Sequence, residues 1–255
     1  MTTIIVIPTY NESQNLPALL PKLAKAVPGA HLLLVDDASP DHTADAAEGL
    51  FKTKPEYMNY SVLRRTGARG LGLAYRDGFA YALEHGFERV IQMDADLSHN
   101  PADIPALLES SMHADLVIGS RYCAGGKVQN WPRRRILLSK FAGWYVQQVL
   151  RIPFTDPTAG FRCWTKVGLQ ALELETVRSE GYAFQVEMAL RAVQARLKVQ
   201  EVPITFTDRA KGKSKMSRMV LLESMLMPLK LRFQSLFRGH DAFRACEVNA
   251  LNPSP

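Results

Sequence analysis

Short apolar runs alternate with stretches of helical spacing through the first half of the chain, and this alternation restricts the fold more than any other feature. Ile4–Ile7, His31–Val35, Tyr60–Leu63, Arg89–Met93 and Ala114–Ile118 read as strands. Between them, residues 15–27, with Leu16, Leu19, Leu20, Leu23 and Val27 on one stripe, residues 43–52 and Ala74–Glu84 read as helices. Asn11 or Ser13 is a candidate cap for the first. Strands that alternate with helices build an α/β fold with a mostly parallel central sheet flanked by helices. Gly67, Gly70 and Gly72 are expected to form a flexible loop whose backbone can approach a ligand.

The second half is less regular. Arg133–Leu150 reads as a helix with its polar residues on one narrow stripe; the rest, including Phe141, Trp144 and Tyr145, suits either burial or an interface with lipid. Tyr182–Ala195 is expected to be helical, Lys198–Thr205 a strand and Val220–Phe237 an amphipathic helix. One domain over residues 1–238 is expected, followed by a disordered tail over 239–255.

Asp94 and Asp96 end the fourth apolar run. Strand side chains alternate faces with period two, so these carboxylates share a face and can converge on one hard cation. Asp36 and Asp37 end the second run. In open α/β sheets ligands bind in the crevice at the carboxyl ends of the strands, where both pairs fall. Asp-Ala-Asp alone could be turn chemistry; a second acidic pair and a basic half to follow favour a metal-held diphosphate. His99 reads as a turn residue rather than a base.

The 255 residues carry a net charge of +6, with 47% hydrophobic and 22% charged residues, a globular composition with neither disorder nor repeats indicated. The charge is unevenly spread. Leu116–Thr155 contains no acid but includes Arg121, Lys127, Arg133, Arg134, Arg135, Lys140 and Arg151; a second acid-free run holds Arg209, Lys211, Lys213, Lys215 and Arg218. Nucleic acid, anionic lipid or a phosphorylated substrate would each answer to this, and arginine's planar fork suits phosphate. Three cysteines without metal spacing favour a reducing compartment, and no signal peptide or membrane span is visible.

Eight segments, in order, carry a family resemblance: Pro8-Thr9-Tyr10-Asn11-Glu12, Val35–Asp41, Asp94–His99, Gly119-Ser120-Arg121-Tyr122, Asn130-Trp131-Pro132, Thr158-Ala159-Gly160-Phe161-Arg162, Gly181–Gln185 and Glu201–Phe206. Together they resemble the polyprenol-phosphate mannosyltransferases, the dolichol-phosphate mannose synthases and their bacterial relatives, within the inverting family 2 glycosyltransferases. The resemblance spans residues 3–218. It implies a GT-A Rossmann-like fold and transfer of mannose from GDP-mannose, with Mg²⁺ or Mn²⁺, to a dolichyl or undecaprenyl monophosphate, giving a β-linked product.

The same resemblance assigns residues. Pro8, Tyr10, Glu12 and Asp36 would hold the nucleotide, and Asp94 and Asp96 the metal. Arg121 and Arg135 would grip the acceptor phosphate, while Arg209 and Lys215 would close over the diphosphate. Asp96, Arg121 and Arg135 are thus the expected catalytic residues. Three departures stand out: Ala68, with Arg69 beside it, replaces a lysine usual in the family; Ser98 stands where some relatives carry a glutamine ligand; and no spans follow the catalytic region.

An ionised lipid phosphate needs no general base, which agrees with the lack of a base candidate. Peripheral attachment to the cytoplasmic face of a membrane is expected, with or without a separate anchor protein, and nucleic acid is not an expected partner. Use of UDP-glucose or another donor on the same fold is the alternative, and a sugar-nucleotide nucleotidyltransferase a more distant one.

Overall fold

The computed structural model describes residues 1–54, 59–208, 225–233 and 248–250. In chain order the elements are β1 (Thr3–Thr9), α1 (Leu16–Ala26), β2 (His31–Asp36), α2 (Thr43–Thr53), β3 (Asn59–Arg64), α3 (Leu71–Glu84), β4 (Arg89–Gln92), α4 (Ile104–Ser110) and β5 (Leu116–Ser120). They continue with β6 (Lys127–Val128), α5 (Arg133–Leu150), β7 (Arg162–Thr165), α6 (Lys166–Gln170), α7 (Gly181–Gln194), β8 (Val199–Pro203), β9 (Thr205–Phe206), α8 (225–233) and β10 (Val248–Ala250).

The central sheet has the order β10-β8-β5-β7-β4-β1-β2-β3. Strand β7 runs antiparallel to both neighbours, and every other pairing is parallel. The expected mostly parallel α/β sheet is therefore present. The C-terminal ends of β1, β2, β3, β4, β5 and β8 share one edge, and the reversed β7 brings its N-terminal end to that same edge.

Both faces of the sheet are covered, as the continuous apolar runs require. Alternate residues of β1 divide between two cores: Ile4 and Val6 pack with Tyr75, Phe79, Trp164 and Phe184 on one face, while Ile5 and Ile7 pack with Leu16, Leu19 and Leu20 on the other. Each such side chain, fully withdrawn from water, contributes roughly 1.5–3 kcal/mol before the entropy of ordering is subtracted.

Helix α5 has the expected limits, but its apolar surface is largely uncovered. Only Gly143, Val146 and Leu150 are buried in it, whereas Leu137, Leu138, Phe141 and Trp144 are 47–67% exposed. The glycine loop differs from expectation. Helix α3 begins at Leu71, so Gly72 lies in its first turn, and a Cβ on Gly70 would stand 2.1 Å from Glu180 Oε2. The close approach that Gly70 and Gly72 permit is to the segment before α7, while a Cβ on Gly67 would meet nothing within 4 Å.

Most of the tail expected to be disordered lies outside the described residues, apart from β10, which pairs with β8 at the sheet edge. No helix among the described residues is long and apolar enough to cross a membrane.

Candidate active site

The loop after β2 is tied to the loop after β1 by side chains. Asp36, 5% exposed at the end of β2, accepts from Thr9 Oγ1 at 3.0 Å, from Ser39 Oγ at 2.6 Å and from the Ser39 amide at 3.1 Å. Ser39 Oγ also receives the Asn11 amide, and Thr43 Oγ1 receives that of Glu12. These bonds set the loop that carries Pro8, Tyr10 and Glu12 beside the end of β2 at Asp36. Beside them a cleft of about 230 Å³ opens among Asp36, Ala38, Ser39, His42, Arg64 and Arg65.

Asp37 has a different place from its neighbour. Its Oδ1 meets Arg65 Nη1 and its Oδ2 accepts the Gly70 amide at 2.7 Å, while Arg65 Nε also reaches Asp77 at 2.6 Å. It therefore anchors the chain that leads into α3. That chain lays the Arg69 guanidinium 5.1 Å from the Tyr10 ring centroid, with Nη1 donating to the Tyr10 hydroxyl at 2.9 Å.

Strand β4 ends at Gln92, so the two acids stand in the loop beyond it and not on one strand face as expected; there Asp94 Oδ1 accepts from the Tyr75 hydroxyl at 2.9 Å, and Asp96 Oδ1 accepts from the Ser98 amide at 3.0 Å and hydroxyl at 2.6 Å. Burial, then the charge of Asp94, pushes the Tyr75 phenol well above its ordinary pKa, so it stays a protonated donor. Ser98 is 1% exposed and acts on Asp96 as a turn former. Both acidic loops contain a left-handed residue that is not glycine, Ala38 (φ 54°) and Leu97 (φ 64°). Such conformations typically cost about 1–3 kcal/mol and cluster at functional sites.

His99 lies under this loop and not at its surface. It stacks on Phe161 at 5.0 Å and meets Phe206 edge-on at 5.4 Å, and its Nδ1 faces the Asp94 amide at 3.4 Å. Burial lowers its pKa, so it is neutral at pH 7.

The pair Asp94 and Asp96 offers hard oxygen donors, which is the chemistry Mg²⁺ or Mn²⁺ selects when phosphates complete the shell. Gly160 leaves room beside it, since a Cβ there would stand 3.6 Å from Asp94 Oδ2. Among the described residues no cluster of three His, Cys, Asp or Glu side chains forms a metal site by itself. The pair fits a cation that shares its shell with a ligand.

Both arginines expected at the acceptor have carboxylate partners. Arg121, after β5, donates from Nε and Nη2 to Asp156 at 2.7 Å each, and from Nη2 to Thr158 Oγ1 at 2.7 Å. Arg135, in the first turn of α5, packs 3.8 Å above the Trp131 ring and donates to Asp208 at 2.9 Å. Phe206 lies against both groups, 5.4 Å from the Arg121 guanidinium and edge-on to Trp131. Arg209 and Lys215 lie outside the described residues.

Tyr75 and Asp156 were not singled out from sequence, and Thr158 and Glu201 entered only as members of quoted segments, without a role. Asp156 had a signal, being the acid that ends the acid-free run after Thr155. Arg162 belongs with them as a buried support. It is fully covered and donates to the carbonyls of Ala159, Pro157 and Gln185, and burial brings its pKa down to about 10.

The architecture is the GT-A Rossmann-like fold. Sequence comparison makes this specific: the Glycosyl transferase family 2 model matches residues 4–169, and the chain belongs to that family. It is 44% identical over 224 residues to polyprenol monophosphomannose synthase of Mycolicibacterium smegmatis, covering 88% of this chain and 84% of the relative. It is also 44% identical over 226 residues to undecaprenyl-phosphate mannosyltransferase of Micrococcus luteus, with 89% and 92% covered. A mannosyltransferase of Pyrobaculum calidifontis, solved with GDP-Man and Mn²⁺, has the same fold at TM-score 0.59 and 18% identity, over 93% of this chain and 64% of that one.

The pair Arg121–Asp156 has a measurable pH signature. Burial alone would raise the Asp156 pKa, but the charge and hydrogen bonds of Arg121 outweigh it and hold the folded value below the ordinary 3.8. A depressed carboxylate stabilises the fold above its unfolded pKa, and this contribution disappears as pH falls through the lower folded value. Urea unfolding midpoints measured from neutral pH downward are expected to drop as the pH passes below 3.8. In Asp156→Asn that part of the acid dependence is absent.

Proposed function

We propose that this protein transfers mannose from GDP-mannose to the phosphate of a polyprenyl monophosphate, dolichyl or undecaprenyl, inverting the anomeric centre to give a β-linked lipid. The observation that carries this reading is the 44% identity to two enzymes named for polyprenol and undecaprenyl phosphate mannosyl transfer, each covered over more than four-fifths of its length.

The chemistry needed is modest and suits these residues. A phosphate monoester is already anionic at neutral pH and can attack the anomeric carbon without a base. This is consistent with a His99 that is buried, neutral and turned to a backbone amide. What remains is to bring two anions together in line and to stabilise the departing diphosphate.

In this reading Pro8, Tyr10, Glu12 and Asp36 hold the nucleotide. Mg²⁺ or Mn²⁺ held by Asp94 and Asp96 supplies charge neutralisation to the leaving diphosphate. Tyr75 and Ser98 orient those two carboxylates through the hydrogen bonds already described. Arg121 and Arg135 take the acceptor phosphate, and Arg209 and Lys215 complete the donor side. A single in-line displacement converts an α-linked donor into a β-linked product.

Incubating the purified protein with a panel of sugar nucleotides, Mn²⁺ and a polyprenyl phosphate, followed by mass spectrometry of the lipid, tests the proposal. A mannolipid from GDP-mannose is expected. A glucolipid from UDP-glucose, with no product from GDP-mannose, would replace the donor and keep the acceptor; sugar transfer only to a non-lipid acceptor would reject the whole reading.

The same reading places the protein at the cytoplasmic face of a membrane, where such an acceptor resides. Supporting this, the exposed Leu137, Leu138, Phe141 and Trp144 of α5 lie in a helix joined to α8 by the Tyr145 hydroxyl, which donates to the Met225 carbonyl at 2.9 Å. Helix α8 adds exposed Met225, Leu226, Leu229 and Phe233, and Arg133, Arg134, Lys140 and Lys230 are exposed on the same two helices. Apolar insertion combined with attraction to anionic lipid holds a protein reversibly. In vesicle flotation, phosphatidylglycerol should recruit the protein better than phosphatidylcholine. Phe141→Ser with Trp144→Ser should weaken recruitment by roughly tenfold or more, since each buried ring contributes about 1.5–3 kcal/mol; equal flotation of wild type and variant would argue against this face.

A further inference from the structure

We infer that Asp156 and Glu201 are positioning residues that fix Arg121 so that it presents one defined nitrogen, Nη1, to the acceptor's phosphate. This rests on the proposed acceptor, a lipid phosphate monoester, and deepens it by assigning two buried acids a role in its alignment.

Arg121 is gripped on one edge. Its backbone amide and Nε both donate to Asp156 Oδ2, at 3.0 and 2.7 Å, and Nη2 donates to Oδ1 at 2.7 Å. Thr158 Oγ1 takes a further bond from Nη2 and itself donates to Asp156 Oδ1 at 3.1 Å. The Asp156 side chain is fully buried and that of Arg121 is 10% exposed. A guanidinium has five N–H donors in a rigid fork. With the Nε and Nη2 edge committed, no hydrogen bond from the described residues reaches Nη1.

Asp156 is in turn held by Glu201. Glu201 lies on β8, opposite Ile118 of β5, and is 6% exposed. It accepts the Thr155 amide at 2.8 Å, the Thr155 hydroxyl at 2.7 Å and the Asp156 amide at 3.0 Å. Among the described residues no cation contacts it, and its hydrogen bonds all go to the dipeptide that carries the Asp156 carboxylate; the Thr155 hydroxyl also meets Ser120 Oγ at 3.1 Å. Two paired strands, β5 and β8, thereby fix Arg121 from both sides, and the Phe206 ring closes a third side.

The charge balance points to alignment. Asp156 already matches the charge of Arg121, so the pair adds little net attraction for an anion. A buried ion pair is also a weak source of stability compared with apolar packing of the same volume. What the pair supplies is direction: a donor held still at the place where the attacking phosphate must line up with the anomeric carbon. Misplacement of a reacting group by about 1 Å can cost on the order of a hundredfold in rate.

The test uses the full chain, GDP-mannose, Mn²⁺ and farnesyl phosphate, a soluble prenyl monophosphate, with KM measured separately for donor and acceptor. Glu201→Gln is expected to raise the acceptor KM by about tenfold, the cost of roughly one buried hydrogen bond, and to leave the donor KM unchanged. Asp156→Asn is expected to lower kcat/KM for the acceptor by about a hundredfold. The double variant Arg121→Ala with Asp156→Asn should be no worse than Arg121→Ala alone, because both changes remove one function.

Acceptor constants unchanged in folded variants, donor and acceptor constants that decline together, or additive losses in the double variant would each overturn the inference. Should Asp156→Asn fail to fold, the donor and acceptor split in Glu201→Gln decides alone. A wild-type protein that makes no mannolipid from farnesyl phosphate would instead overturn the parent reading of the acceptor, and this assignment with it.

Discussion

The parallel sheet sends the ends of six strands to one edge, and everything chemical in this protein depends on that shared edge. Thr9, Asp36, Arg64, Gln92, Ser120 and Pro203 end β1, β2, β3, β4, β5 and β8 there, and each is followed at once by a loop that carries polar or charged groups. The reversal of β7 completes the arrangement. Because β7 runs against β4 and β5, its N-terminal end, with the loop from Asp156 to Phe161, arrives where the others terminate, and the Gly119 amide bonds to the Phe161 carbonyl at 2.9 Å.

Gathering acids and arginines at one edge creates an electrostatic problem, which the fold solves by local pairing. Two unit charges about 4 Å apart at an effective dielectric near 20 interact by about 4 kcal/mol, comparable to a large part of a domain's stability. Asp37 is matched by Arg65, Arg121 by Asp156 and Arg135 by Asp208. Asp94 and Asp96 also receive hydroxyl and amide donors from Tyr75 and Ser98. Ion pairs and neutral donors together hold the geometry of this edge.

How much could be read from the chain follows from the range of each interaction. The strands of the first half and helix α5 were legible because period two and period 3.6 are local patterns. Asp94 and Asp96 were legible as acids just beyond an apolar run, although β4 ends at Gln92 and both stand in the loop after it, outside the strand's alternation. Strand β7 was not, because its four residues include a buried arginine whose partners are carbonyls at Ala159, Pro157 and Gln185. Asp37 looked equivalent to Asp36, yet its contacts with Arg65 and Gly70 bridge 28 and 33 residues and give it a different task. The tight approach of Gly70 and Gly72 to Glu180 spans over a hundred residues, and the link from Glu201 to Thr155 spans 46. Such pairings leave no periodic trace. The wide apolar face of α5 was visible in sequence, but which side of it would be covered was not.

In the proposed reaction Asp94 and Asp96 act together on a cation that stabilises a departing diphosphate. The most direct measurement is the rate of mannolipid formation by Asp94→Asn and Asp96→Asn, each verified as folded, across a titration of Mn²⁺. A loss on the order of a hundredfold or more is expected in each, as when a stabiliser of transition-state charge is removed. Formation of the product at the wild-type rate, with the same dependence on Mn²⁺, would contradict it.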